Sequence, residues 1–405
     1  MRLLFIDLSP GLGGSLVSIE RLLGESERGF DPALLLSARN PAIGRFRAQG
    51  IPVMTVPTPD LPALRTTRFM RRVKETPGLA AGRSGPLRPL WNAARSARNV
   101  LLRTLPLTWR LWRAIASAKP DLVHINDAIF LNRPAIAASW LAGRRAVCHV
   151  RSLGQLNWID RLLARTLRGC IAISRWVEED LAAQGVRCAK SVLIYDGVDP
   201  AAYEDLPDRL AAREELGLPA DATVIAVLGR LVPWKGQHLF IQAMRRVIES
   251  NPLAVGVIAG APEVYSLDYE PALREQAREL GIADRIRFTG FVAEPRTVLA
   301  AVDVLAHCSV TPEPFGLVMI EAMAAGKAVV TPAEGGGAEI VVHGETGLLY
   351  QPRDPVALEE AMLALTSDQA TARIMGDAGR ARVRSAFDVQ RFRKQMEAFY
   401  REMAA

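Results

Sequence analysis

The sequence predicts an α/β protein made of two doubly wound, Rossmann-like domains that face each other across a cleft. Three observations lead there. At 405 residues the chain is long enough for two domains of ordinary size. Short, nearly continuous apolar runs alternate with stretches of helical period, the pattern of strands buried on both faces of a parallel sheet. That alternation is broken by a stretch rich in Pro, Asp and Ala, Asp196–Leu218, which reads as a linker between two similar halves.

In the first half, strands are expected at Leu3–Leu8, Ala33–Leu36, Val53–Val56, Leu122–Ile125, Ala146–Val150, Gly169–Ile173 and Ser191–Ile194. Ser174 is placed to cap a helix, with Val177 three residues on and Glu178 and Glu179 favoured by the helix dipole. The second half repeats the theme with strands near Thr223–Leu228, Ala254–Ala259, Ile286–Thr289, Val304–Ala306 and Ala328–Thr331. Helices fall between them, around Gln237–Glu249, Pro271–Leu280 and Gly316–Ala325. In the tail, Val389, Phe392, Met396, Phe399 and Met403 share one helical face, which must pack on something. The expected division is residues 1–196, residues 197–387 and a terminal helix, 388–405.

Composition narrows the class. Apolar residues make up 49% and charged residues 23%, which excludes disorder and fibrous architectures. No apolar run reaches the roughly 18 residues of a membrane span. Met1–Asp7 reads as a first strand rather than a leader. Cys148, Cys170, Cys188 and Cys308 are scattered, so reduced thiols in a cytosolic protein are expected. Charge is uneven. The stretch from Arg65 to Arg113 carries twelve basic residues and one acid, Glu75, within a chain of net charge +7, so the remainder is mildly acidic.

Chemistry is expected at the carboxyl ends of the strands, where doubly wound sheets bind ligands. The sharpest constellation is Thr311-Pro-Glu-Pro-Phe-Gly-Leu-Val-Met-Ile-Glu321. Glu313 lies in a proline-flanked loop, and Glu321 falls in the following helix among apolar neighbours. A buried carboxylate needs a partner; a ligand's vicinal diol would serve, as would backbone or an arginine. Gly316 and Leu317 open that helix, and their amides suit a phosphate. Arg230 and Lys235 sit five apart in the loop after Gly229, where two cations can neutralise a diphosphate or simply be solvated. Gly11, Gly13 and Gly14 follow the first strand, a loop that lets phosphate approach amides. The pattern is G-x-G-G, and the second strand ends in Leu36-Ser37-Ala38-Arg39 without a ribose-binding acid, so a nicotinamide site is not indicated. His149, with Asn126 and Asp127, ends a strand facing the cleft; taken alone, such a histidine is more often structural. The five histidines lack metal-ligand spacing, and no metal is expected. Gly335-Gly-Gly337 is either an amide-rich loop or a plain turn.

Taken together, the E-x7-E of Glu313 and Glu321, the Gly229-Arg230…Lys235-Gly236 loop, Ile194-Tyr-Asp-Gly-Val-Asp199 and Gly335-Gly-Gly-Ala-Glu339-Ile resemble the retaining GT-B glycosyltransferases of family 4 type. The resemblance covers most of the second half and, more loosely, the first through Gly13-Gly14 and His149. It implies that Glu321 holds the donor's ribose, that Glu313 lies beside the donor sugar, and that Arg230 and Lys235 bind the diphosphate. His149 stands at the donor-contacting histidine, and Gly14 at the first phosphate loop. Gly13, Gly229, Phe291, Phe315, Gly316 and Leu317 complete the implied donor site. Two departures are Asp196, where the family usually has Asn, and Cys308-Ser309 in place of Pro-Ser. The resemblance further implies a terminal helix crossing back to the first domain and hexosyl transfer from a UDP- or GDP-sugar with retention, without metal or cofactor.

The basic segment points to the acceptor. Arg65, Arg68, Arg71, Arg72 and Lys74 surround Phe69, Met70 and Val73, and a second Arg-rich stretch carries Trp91, Trp109 and Trp112. Basic residues with interfacial aromatics suit an anionic membrane surface; a solvated basic face is the alternative, and nucleic acid is not expected. The expected acceptor is therefore a glycan or lipid-linked molecule at the inner face of the cytoplasmic membrane. A sugar-nucleotide epimerase, a polymer synthase, or a non-catalytic polyanion- or membrane-binding protein on the same fold remain the alternatives.

Overall fold

The computed structural model describes residues 1–9, 11, 13–24, 29–58, 100–152, 154–292 and 294–405. Arg65, Arg68, Arg71, Arg72 and Lys74 lie outside the described residues.

The first sheet contains β1 (Arg2–Asp7), β2 (Asp31–Ser37), β3 (Val53–Val56), β4 (Leu122–Asn126), β5 (Ala146–Val150), β6 (Gly169–Ala172) and β7 (Ser191–Leu193). Their order is β3-β2-β1-β4-β5-β6-β7, with every pairing parallel. Alternation along the strands explains why both faces are covered. Leu3 and Phe5 pack under α1 (Gly14–Leu22) and α2 (Ile43–Ala48). Leu4 and Ile6 point the other way, into a core with α3 (Leu105–Ala118), α4 (Arg133–Leu141), α5 (Trp158–Ala164) and α6 (Arg175–Ala183). Ser174 caps α6 as expected, its side chain accepting from the Val177 amide.

The second sheet holds β8 (Thr223–Leu228), β9 (Ala254–Ala259), β10 (Ile286–Gly290), β11 (Val304–Ala306), β12 (Ala328–Pro332) and β13 (Gly347–Tyr350), ordered β10-β9-β8-β11-β12-β13. Its helices are α8 (Gln237–Ser250), α9 (Tyr269–Glu279), α10 (Pro295–Ala301), α11 (Leu317–Ala324), α12 (Gly337–Ile340), α13 (Pro355–Ser367) and α14 (Gln369–Ala386). The expected linker stretch carries a helix of its own, α7 (Arg209–Glu215), capped by Asp208. In each sheet the strand order reverses beside the first-made strand, at β1/β4 and at β8/β11. Those switch points open the crevices where ligands bind.

The terminal helix α15 (Val389–Ala404) returns to the first domain. Phe392, Met396, Phe399, Tyr400 and Met403 are buried with Phe5, Phe30 and Leu122, and the Tyr400 hydroxyl lies 2.8 Å from His124 Nδ1. The outgoing and returning chains pass side by side. Val198 N–H donates to the Phe387 carbonyl, and Val389 N–H donates to the Val198 carbonyl, both at 2.9 Å. Only glycine fits at Gly197 there, because a Cβ would stand 2.6 Å from Val389 Cα.

Two expectations need correction. Cys170 and Cys188 form a disulfide, while Cys148 and Cys308 are free and buried. Their 18-residue separation hid the pairing; the parallel register of β6 with β7, in which Cys170 opposes Ser191, brings the loop carrying Cys188 alongside. The edge strand β13 (Gly347–Tyr350) was also not foreseen; it begins on a glycine directly after the polar stretch Gly344-Glu-Thr, which reads as a turn.

Candidate functional site

The site grows from the loops at the carboxyl edge of the second sheet. After β8 the chain turns at Gly229 and reaches Lys235, then Gly236 at φ 71°. A Cβ on Gly236 would lie 1.8 Å from the Cys308 carbonyl oxygen, so this loop is pressed onto the one that follows β11. Val310 N–H donates to the Trp234 carbonyl at 2.8 Å and ties the two together.

That contact delivers Lys235 to Glu313. Lys235 Nζ donates to Glu313 Oε2 at 2.6 Å, Ser309 Oγ lies 3.2 Å from the same oxygen, and His307 Nε2 lies 3.4 Å away. His307 and Ser309 are in turn 3.0 Å apart. Burial pushes the Glu313 carboxyl upward, but Lys235 and the His307 hydrogen bond outweigh it and hold the group well below the usual carboxylate range. Burial lowers His307, with the nearby Lys235 charge adding to it against the opposing pull of Glu313. The result is an ionised carboxylate between a cation and a hydroxyl-bonded imidazole. Gly335 and Gly336 back this loop: a Cβ on Gly335 would stand 2.6 Å from the Glu313 carbonyl oxygen, and Gly336 N–H donates to it at 2.7 Å. The glycine run is therefore a close-packed support rather than an open amide loop.

Glu321 occupies the middle of α11, flanked by buried Ile320 and Ala322. Its partner is an arginine, one of the readings open from sequence. That arginine, Arg21, comes from α1 of the other domain. The helices meet again at their starts, since a Cβ on Gly14 would lie 3.3 Å from Leu317 Cδ1. Gly13 caps α1, and Gly316, at φ 104°, caps α11, so two helix N-termini oppose each other across the cleft.

His149 ends β5 and is buried, its ring edge-on to His124 at 5.5 Å and its Nε2 3.4 Å from Arg151. Burial, then the Arg151 charge and the neighbouring His124, push it well below the ordinary histidine value. Arg151 ion-pairs with Asp196 and donates to Ser18 Oγ at 3.0 Å, while Ser18 donates to Asp196 at 2.6 Å. Asp196 thus serves as the anchor of a network joining α1, β5 and the linker.

Other expected residues are placed elsewhere. Arg230 ion-pairs with Glu263 rather than with Glu313, although it and Lys235 both lie over the Trp234 ring, at 6.0 and 4.5 Å. Phe315 is buried, stacked on Tyr195 and edge-on to Phe387, so its ring belongs to the core between the domains. Phe291 is 68% exposed beyond β10. Trp109 and Trp112 are exposed on α3, with Arg113 lying over Trp109 at 5.0 Å. Arg21, His307, Ser309 and Arg151 were missed. His307 and Ser309 follow a predicted strand directly and could have been found from that placement; Arg21 is one of many arginines and carries no local signal. Glu339 was quoted only within a motif, yet its carboxylate accepts from the Arg175 and Trp176 amides at 2.9 and 2.8 Å and from the Tyr195 hydroxyl. It caps α6 from the opposite domain.

Two parallel sheets with opposed carboxyl edges define the GT-B architecture, and known proteins agree. Residues 27–202 match Glycosyltransferase Family 4, and residues 208–382 match Glycosyl transferases group 1. A Mycobacterium tuberculosis glycogen synthase is 32% identical over 301 residues, 70% of this chain and 67% of its own. A D-inositol 3-phosphate glycosyltransferase of Kribbella flavida is 36% identical over 228 residues, and the match spans about half (51%) of that relative's length. Anabaena HepE, solved in complex with UDP and glucose, superposes with a TM-score of 0.80 at 26% identity, covering 99% of this chain and all of the other. The chain belongs to the group 1 glycosyl transferases, with a family 4 domain in its first half.

Proposed function

We propose that the protein is a retaining glycosyltransferase that moves a hexosyl group from a nucleotide-diphosphate sugar to a glycan or lipid-linked acceptor at the cytoplasmic face of the membrane. The observation that carries this reading is the Lys235–Glu313–His307 cluster, set at the carboxyl edge of the second sheet in the same loop–helix unit as Glu321. HepE supports the donor class, having been solved with UDP-glucose.

In this reading the diphosphate lies over the start of α11, where the helix terminus and Lys235 offset the charge that grows as the bond to C1 breaks. Arg230, half-exposed on the neighbouring loop, turns from Glu263 to the same group. The acceptor oxygen bonds C1 on the face the diphosphate leaves, and the acceptor's proton passes to the departing phosphate oxygen. Glu313, kept ionised by Lys235, accepts hydrogen bonds from the sugar hydroxyls, and Glu321 accepts from the ribose. His149, held neutral, is available to the sugar as a donor or acceptor. Fixed cations and amides do the work of a divalent ion, so the transfer needs no metal or cofactor.

The membrane side rests on the first domain. α3, α4 and α5 all begin at its carboxyl edge, and near those ends Leu105, Leu131 and Trp158 are exposed at 51%, 49% and 69%. Trp109 and Arg113 lie one to two turns further along α3. An apolar rim with arginines beside it suits an anionic bilayer that presents the acceptor to the cleft. No helix among the described residues is long and apolar enough to cross a membrane.

The test is calorimetry with UDP, GDP, ADP and NAD on the wild type and on Glu321→Ala, followed by transfer assays with and without EDTA and by sedimentation with anionic and neutral vesicles. Selective binding of one nucleoside diphosphate, lost in the variant, is the expected result. No binding, or equal binding by the variant, would overturn the donor assignment. Sugar-nucleotide conversion without acceptor would turn the reading to an epimerase.

A further inference from the structure

We propose that Arg21 is a positioning residue for the donor's ribose: it supplies, from the opposite domain, the charged partner that holds and aims the Glu321 carboxylate. The proposal rests on the reading of Glu321 as the ribose acceptor. Glu321 sits on a helix whose residues Met319, Ile320, Ala322, Met323 and Ala324 are all buried, and its own side chain is only 10% exposed. A side chain so covered needs a polar or charged partner close by. Within α11 there is none, since the helix reads Leu-Val-Met-Ile-Glu-Ala-Met-Ala.

Arg21 fills that role and is itself tightly held. Its Nη2 donates to Glu321 Oε1, which leaves Oε2 to receive a second donor. Its Nη1 lies 3.3 Å from the carbonyl of Gly197, in the linker, and its own carbonyl accepts from Arg393 Nε of α15 at 2.8 Å. Burial disfavours the guanidinium charge, but Glu321, Tyr203 and Asp196 together outweigh it and raise Arg21, so it remains a cation. Arg21 therefore stands where α1, the outgoing linker and the returning helix converge, and from there it reaches across to the second domain. An ion pair that merely joined two surfaces would not need three anchors. The arrangement makes ribose recognition a property of both domains: the second contributes the carboxylate, and the first sets its direction.

The experiment measures binding of the nucleoside diphosphate that the wild type selects, and of its 2′,3′-dideoxy analogue, to full-length wild type, Arg21→Met, Arg21→Gln and Arg21→Lys, with donor KM and kcat alongside. The expected result is at least about a tenfold loss of affinity for the nucleotide in Arg21→Met, with little change for the analogue, so that ribose discrimination collapses. Arg21→Lys should restore part of it, and KM should rise more than kcat falls. Arg21→Gln keeps a donor without the charge and should behave like Arg21→Met; it serves as the test if Arg21→Met does not fold. Unchanged or tighter nucleotide binding with discrimination intact would overturn the proposal and make Arg21 a tie that the donor must displace. A wild type that does not distinguish the nucleotide from its analogue would instead overturn the ribose role of Glu321 itself.

Discussion

Lys235–Glu313 and Arg21–Glu321 are both partly buried cation–carboxylate pairs at the carboxyl edge of the second sheet, yet they are assembled differently. The first is made by two loops of one domain, pressed together by the Gly236–Cys308 contact. The second takes one residue from each domain and is steadied by the linker and the terminal helix. A pair built within one sheet keeps its geometry whatever the domains do. A pair built across the cleft exists only while the domains are close. The contrast separates a charge arrangement set by one domain from one that needs both.

The sharpest way to break the comparison is to remove the local cation. Lys235→Met should lower kcat by about a hundredfold to a thousandfold, by the measure of other sites that lose one preorganised donor. Its effect on nucleotide affinity should be smaller, the reverse of the pattern for Arg21→Met. Steady-state transfer kinetics read both.

Next in size is the support of that local pair. Gly236→Ala puts a methyl group into the Cys308 carbonyl at a positive φ, and should cost about 2–4 kcal/mol. Thermal unfolding reads the loss, and the same change at exposed Gly50, whose Cβ would meet nothing within 4 Å, should cost less despite its similar φ of 73°.

The disulfide gives a perturbation distant from both pairs. Closing a loop of 18 residues contributes at most about 3 kcal/mol, so Cys188→Ser should lower the melting temperature while leaving nucleotide affinity unchanged. A change in affinity would mean that the far edge of the first sheet is coupled to the cleft.

The smallest effect is in the pH dependence. Glu313 is held below its ordinary value of 4.5, so the unfolded chain takes up its proton first as acid is added. The stability it contributes is present above that value and is lost as pH falls towards the folded one. His307, lowered from 6.5, works in the same direction from a higher pH. Glu313→Gln should therefore be less stable than wild type near neutrality, with the gap narrowing below about pH 4.5. A gap that stays constant down to pH 3 would mean that Lys235 does not stabilise the carboxylate.

Much of this was readable along the chain. The strands bury both faces, so their apolar runs stand out without any knowledge of neighbours, and Glu313, Glu321 and Lys235 sit in short segments where loop, helix start and charge fall together. Ser174 was found for the same reason, because a helix cap is a contact over three residues. β13 escaped because it opens on a glycine and runs straight on from a turn-like stretch, whereas the equally short edge strand β3 is β-branched and apolar. The packing of the Phe315 ring was not legible because an aromatic beside a glycine reads alike whether it lines a cleft or fills a core; Tyr195 and Phe387, far away in sequence, decide which.

What the sequence by itself determined is the alternation of elements, the doubling into two domains, and the identity of the second-sheet loops that carry charge. All of these are set by periodicity and by contacts between residues a few positions apart. Only the tertiary structure decided that Arg21 meets Glu321, that Asp196 anchors Arg151 and Ser18, that Glu339 caps a helix of the other domain, and that Cys170 meets Cys188. The first three pairings span 45 to 300 positions. The disulfide depends on how two parallel strands register. An arginine or an aspartate carries the same charge in every setting, and its partner is chosen only when the sheets are stacked and the chain has crossed back.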